Sequence, residues 1–228
     1  MDHNVTPQHH LTYYDLVGMA FVAIVLISSV TASKLIAIGP FTFTAGIIVF
    51  PIAYIFGDCL TEVYGYARAR RIVWMGFAAN LFMSFVITIA IALPPAQGWP
   101  FQEQFAAVLG QVPRIVAASL IAYICGEFSN SYVLAGMKVW TQGKHLWMRT
   151  IGSTIVGEGV DTAIFVLVAF WGVFPGTLLT TTIASAYIFK VLYEILATPL
   201  TYWAVRRLKA AEKVDHYDVK TNFNPFRL

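Results

Sequence analysis

Two carboxylates stand in an otherwise apolar run from Ile151 to Phe174, within Gly157-Glu158-Gly159-Val160-Asp161-Thr162. Three residues apart, Glu158 and Asp161 share one face if the run is helical. At ~1.5 Å per residue, a helix of about 24 residues crosses a ~30 Å hydrocarbon layer. A central Asp costs roughly 2.5–3.5 kcal/mol even on lenient insertion scales, so anchoring alone does not explain two acids together. Asp58, Glu62, Glu127 and Glu194 also fall in apolar runs, and only Lys34 and Lys190 oppose them there. Crowded carboxyl groups in a low dielectric need a cation, a proton or an N–H donor between them. Such a site suits a solute rich in N–H donors, or one carrying an ammonium, and suits an anion poorly. Tyr54, Phe56, Tyr123, Phe128, Tyr132, Phe165 and Tyr187 lie on the same segments and can cover a flat ring. A planar, donor-bearing heterocycle fits this chemistry, as do donor-rich polyols and amines. The predicted substrate-binding set is Asp58, Glu127, Asn130, Glu158, Asp161, Lys190 and Glu194.

Each member also has a plainer reading. Glu62 can snorkel to the interface near Arg68, and Lys34 can do so to the outer headgroups. Lys190 and Glu194 are spaced as an i,i+4 structural pair. Glu127 and Asn130 can serve as interhelical glue.

The elements that must position these groups follow from composition. Apolar residues make up 58% and charged ones 12%, against roughly 45–50% and 25% in soluble domains, which indicates a polytopic membrane protein. We expect an all-α bundle of six transmembrane helices, at about 16–38, 45–64, 72–93, 115–137, 151–174 and 178–205, forming one domain. Tails 1–14 and 209–228 flank it. Gly39-Pro40 ends the first span, while Pro51 and Gly57 break the second, as is tolerated where a cavity or neighbouring helix takes up the freed backbone groups. Within the long 94–114 connection, residues 101–109 suit a short amphipathic helix at the interface.

With six spans, Arg68, Arg70, Arg71, Lys138, Lys144, Arg149, Arg206, Arg207 and Lys209 fall on one side and Arg114 on the other. The positive-inside rule then puts both termini in the cytoplasm of a bacterial inner-membrane protein. Trp74, Trp99, Trp140, Trp147, Trp171 and Trp203 sit near span ends or in loops, as an aromatic belt requires.

Several functions are disfavoured. Basic residues scattered between apolar segments give no nucleic-acid face. His3, His9 and His10 read as a solvated tail and not a metal site, and Cys59 and Cys125 as free apolar thiols. Tyr14-Asp15 lies at the membrane edge and Ile55-Phe56-Gly57-Asp58 lacks the first Gly of an intramembrane aspartyl protease. Neither His-Glu-x-x-His nor Gly-x-Ser-x-Gly occurs, so no enzyme and no cofactor is expected. No Walker motif is present either, so any ATP coupling must come from a partner.

Ala53-Tyr54-Ile55-Phe56-Gly57-Asp58 is echoed by Ala122-Tyr123-Ile124-Cys125-Gly126-Glu127, and its core again by Gly157-Glu158 with Asp161. This suggests a weak internal repeat, of the kind transporters use to build a midplane site.

Taken as a set, these motifs resemble the queuosine precursor transporter family, also described as vitamin-uptake-like transporters. The likeness lies in Phe50-Pro51 with Tyr54-Ile55-Phe56-Gly57-Asp58, Thr61-Glu62-Val63-Tyr64-Gly65-Tyr66 and the Arg68–Arg71 cluster. It continues in Gly126-Glu127 with Asn130-Ser131-Tyr132, His145-Leu146-Trp147 with Arg149-Thr150, Gly157-Glu158 with Asp161-Thr162, and Lys190–Glu194 with Thr198-Pro199. The resemblance implies six helices similar to substrate-binding subunits of energy-coupling-factor transporters. It further implies uptake of 7-cyano- or 7-aminomethyl-7-deazaguanine as small-molecule substrate. Alternatives are a capture subunit that needs an ATP-driven coupling partner, and a proton-coupled porter for another heterocycle or vitamin. Membrane lipid is the expected surrounding, and a homodimer is compatible with the sequence.

Overall fold

The computed structural model describes residues 11–140, 142 and 146–214, with the backbone alone at 131, 134, 135, 138, 139 and 146–150. The expectations for His3, His9, His10, Lys144 and His145 lie outside the described residues, as do those for the side chains of Ser131, Lys138, Trp147 and Arg149.

The chain runs α1 (Tyr14–Thr31), β1 (Leu35–Ile38), β2 (Phe41–Thr44), a 3₁₀ turn (Ala45–Ile48) and α2 (Phe50–Tyr64). It continues through α3 (Tyr66–Ala92), α4 (Gln102–Leu109), α5 (Val112–Trp140), α6 (Leu146–Phe170) and α7 (Gly176–Glu212). Among the described residues, five helical stretches are long and apolar enough to cross a membrane: α1, α3, the Gln102–Asn130 stretch, α6 and α7. The protein is a multi-pass membrane protein. The short helix α4 falls on the segment predicted for it.

Three expected boundaries differ. The first span was expected to reach Ile38, but α1 ends at Thr31 and the remainder turns back as a hairpin, pairing Leu35 with Thr44 and Ile38 with Phe41. The Gly39-Pro40 pair closes this hairpin. Gly39 sits at the first central position with φ +58°, the left-handed conformation that primed two-residue turns need. Apolar β-branched and aromatic residues on both sides favour strand over helix. The second expected span, 45–64, is the 3₁₀ turn followed by α2. With 15 residues, α2 reaches only about 22 Å and starts partway along the bundle. At the chain's end, α7 runs on to Glu212, into what was read as tail.

Two apolar clusters hold the helices at opposite ends. One joins Val17, Leu60, Val63, Tyr64, Ile72 and Val205, from the start of α1, the ends of α2 and α7 and the start of α3. The other joins Ala32, Ile115, Ala118, Val166, Phe170 and Leu179, from the opposite ends of α1, α5, α6 and α7. Between these plugs the helix midpoints carry the polar groups.

Each plug is closed by a charged side chain. Glu212, only 4% exposed, accepts from the backbone N–H groups of Thr12 (2.8 Å) and Tyr13 (2.6 Å) and from the Tyr64 hydroxyl (2.8 Å). A carboxylate from α7 thus caps the positive N-terminal end of α1. At the other end Arg114 donates to the carbonyls of Val168 (2.7 Å) and Trp171 (2.6 Å), which fall in the last turn of α6 and just beyond it. This arginine, the exception in the charge pattern along the sequence, acts as a C-terminal cap.

Candidate solute-binding site

Lys190 projects from the middle of α7 to two acids on α6. Its Nζ lies 2.8 Å from Asp161 Oδ2 and 3.0 Å from Glu158 Oε2, with the Phe50 ring centroid 5.4 Å away. The Asp161 contact is a hydrogen bond, and that to Glu158 Oε2 is an ion contact without hydrogen-bond geometry. Lys190 therefore pairs across to α6 and not along its own helix with Glu194. The lysine side chain is 15% exposed and its two partners 25% and 28%, so the triad is largely withdrawn from solvent. Two carboxyl groups against one ammonium leave an acceptor excess, as anticipated.

The α5–α6 contact brings Glu127 and Asn130 to the same place. A Cβ built on Gly126 would stand 2.9 Å from Asp161 Cβ, and one built on Gly157 would stand 2.8 Å from Asn130 Cβ. The glycines let the antiparallel helices approach closely, as small residues do in membrane bundles. Tyr123, Gly126, Glu127 and Asn130 of α5 thus stand beside Thr154, Gly157, Glu158 and Asp161 of α6, with Gly126 against Asp161 and Gly157 against Asn130. These same residues line a cleft of about 140 Å³. Asn130 Oδ1 in this cleft is buried without a partner among the described residues.

Asp161 and Lys190 also close one end of a second chamber, about 180 Å³, whose walls carry Ser28, Thr44, Phe50, Ser119, Thr162 and Phe165. It is held open by the broken second segment. Gly46, in the 3₁₀ turn, packs so tightly on α1 that a Cβ there would lie 2.8 Å from Ser28 O. The hairpin is tied to α7 by Thr42 N donating to Ser185 Oγ (3.0 Å) and by the Phe43–Phe189 edge contact at 5.8 Å. The Tyr193 hydroxyl then donates to Pro51 O (3.0 Å), fixing the start of α2 at the depth of Lys190. The break between the hairpin and α2, at Gly46 and up to Phe50, thus lines the cavity, whereas Gly39, Pro40 and Gly57 do not.

Asp58 and Glu194 do not join this group. They line a separate cleft of about 260 Å³ between α2 and α7, with Tyr54, Glu62, Thr198 and Thr201. Glu62 lies 3.8 Å from Lys209 Nζ and so pairs with α7, not with Arg68. Of the aromatic residues proposed to cover a ring, Phe165 lines the chamber, Tyr123 the α5–α6 cleft and Tyr54 the α2–α7 cleft. Tyr132, at 82% exposed, faces outward. The sequence reading missed the chamber hydroxyls, Gly46 and Glu212. Serine and threonine are commonplace in membrane helices, and Glu212 sits in a stretch that reads as tail.

A family model described as "Putative vitamin uptake transporter" matches residues 44–204, most of the chain. The chain is 31% identical over 173 residues to the "Probable queuosine precursor transporter" of Bacillus subtilis, covering 75% of this chain and 76% of that protein. The chain belongs to the queuosine precursor transporter family. Within this family it is also 29% identical over 128 residues to the "Queuosine precursor transporter" of Escherichia coli (56% of this chain, 55% of the relative). The "Probable queuosine precursor transporter" of Haemophilus influenzae is 29% identical over 146 residues, 60% of this chain and 58% of the relative. No solved structure matches the chain significantly.

Proposed function

We infer that the protein carries queuosine precursors, 7-cyano- and 7-aminomethyl-7-deazaguanine, into the bacterial cell across the inner membrane. The names of its relatives point to this solute class. The observation that carries the reading for this chain is the Lys190–Glu158–Asp161 triad, held at mid-helix between two apolar plugs, with Glu127 and Asn130 opposite. A carboxylate there accepts together from the ring N1–H and the 2-amino group of a deazaguanine, and a second acid meets an aminomethyl ammonium. Lys190 donates one hydrogen bond, to Asp161, and keeps donor capacity for a ring carbonyl.

In this reading the hairpin and α2 together supply a sixth crossing, and both termini lie in the cytoplasm. The contact of Thr12 and Tyr13 with Glu212 supports the two termini being on one side. Asp58 and Glu194, in the cleft between α2 and α7, lie on the inner path of the solute. A proton-coupled porter is the second reading, favoured by the acids of that separate cleft.

The experiment is uptake of labelled precursor by cells unable to synthesise it, comparing the wild type with Asp161→Asn. The variant is expected to insert normally and to lose most uptake. Normal uptake by the variant would remove Asp161 from the site. Transport by the purified chain alone in proteoliposomes, with and without a proton gradient, separates self-sufficient, proton-driven and partner-dependent uptake.

A further inference from the structure

The hydroxyls around the chamber are not alike. Ser29, Ser119 and Thr182 each donate to the carbonyl four residues back, those of Val25, Ile115 and Leu178, as hydroxyls in membrane helices commonly do. Thr162 does not. It is 1% exposed, it lines the chamber beside Asp161, and its Oγ1 has no partner among the described residues. A buried polar atom left unpaired is costly and calls for an explanation. No described residue supplies one, and the chamber is the space beside it from which a partner could come.

The chamber's size limits what that solute can be. At about 180 Å³ it is slightly larger than the ~150 Å³ cavity that admits benzene, and well below the ~300 Å³ at which sites for drug-sized molecules begin. Its walls offer the rings of Phe50 and Phe165, one carboxylate at the Asp161 end and hydroxyls along the side. Lys190, which closes the same end, is already engaged by two acids.

We propose that this chamber holds one free heterocyclic base, without a sugar, and that Thr162 Oγ1 reads the polar edge of that base. The proposal rests on the uptake reading above. It adds a site on the hairpin side of the triad and a specificity-determining residue that carries no charge. A base enters edge-on to Thr162 and Asp161, and a ribose attached to the ring would have to lie outside these walls.

The test is calorimetric titration of the purified full-length protein in lipid nanodiscs with 7-cyano-7-deazaguanine and with its ribonucleoside. The melting temperature of each variant is measured first. The base should bind the wild type, and the ribonucleoside at least about tenfold more weakly. Thr162→Val, which keeps the shape and removes the hydroxyl, should weaken the base about five- to tenfold, the effect of one hydrogen bond. Thr162→Ser should restore most of the affinity, and Ala186→Leu, which fills the chamber, should abolish binding. Base binding by a folded Thr162→Val or Ala186→Leu variant that equals the wild type overturns the proposal, as does equal binding of base and ribonucleoside. If wild-type protein fails to bind the base at all, the precursor-uptake reading itself falls.

Discussion

Gly126 and Gly157 stand back to back where α5 crosses α6, and their relation is reciprocal. A Cβ on either would lie 3.1 Å from the carbonyl oxygen of the other. No rotamer change can yield there, because the obstacles are these backbone oxygens and the Cβ atoms of Asp161 and Asn130, which the backbone fixes. Gly126→Ala or Gly157→Ala must therefore push the helices apart, at a cost of about 1–3 kcal/mol. The same shift separates Glu127 and Asn130 from Glu158 and Asp161. We expect a lower melting temperature in detergent together with a loss of precursor uptake. Wild-type behaviour in either alanine variant would show that the close approach is not needed.

Breaking the ion triad should be worse than removing it. Lys190→Met leaves two carboxyl groups facing each other in a largely dry setting, a loss of about 3–5 kcal/mol. Adding Glu158→Gln and Asp161→Asn removes the repulsion and should recover much of the stability while leaving uptake lost. Thermal unfolding of the single and triple variants, beside uptake, separates the structural from the recognition role.

Glu212 predicts a stability effect far from the solute. Its carboxylate holds three donors, so Glu212→Ala should cost about 2–3 kcal/mol and loosen the start of α1. Hydrogen exchange at the Thr12 and Tyr13 amides should rise, whereas affinity for the base in the chamber should change less than about twofold. A larger change in affinity would connect this cap to the site.

Gly46→Ala addresses the broken second segment. The new methyl would collide with the Ser28 carbonyl and lift the 3₁₀ turn from α1, at a cost of about 1–3 kcal/mol. Faster exchange across residues 35–44 and weaker binding of the base are expected. Unchanged exchange there would mean that the hairpin is held by α7 alone.

Asp58 and Glu194 give a prediction of opposite kind. Lining a cleft apart from Lys190, their amide variants Asp58→Asn and Glu194→Gln should bind the base within about twofold of the wild type yet transport it more slowly. A tenfold loss of binding would instead place both carboxylates on the solute.

Much of this architecture is legible in the sequence because the bilayer imposes a stringent pattern. Long apolar runs identify α3, α5, α6 and α7, and acids inside such runs stand out: Glu158, Asp161 and Glu127 converge as their intrusion suggests. Where the chain departs from a plain helix the pattern loses power. Leu35–Ile38 is as apolar as any span, so hydropathy extends the first helix through residues that pair as a strand. Which acids meet is equally invisible, because Lys190 stands one turn from Glu194 but joins Asp161 across the contact between α7 and α6. Thr162 could not be told from other threonines until the carbonyl four residues back proved not to be its partner.

α7 has a consequence of its own. It bears Lys190 at its midpoint, meets the hairpin through Ser185 and Phe189 on one side of that lysine, and clasps the beginning of the chain through Glu212 on the other. Any tilt or slide of this rod beyond the slack of its side chains must disturb at least one of the three. The ion triad, the hairpin and the beginning of the chain are thus mechanically joined through one piece of backbone.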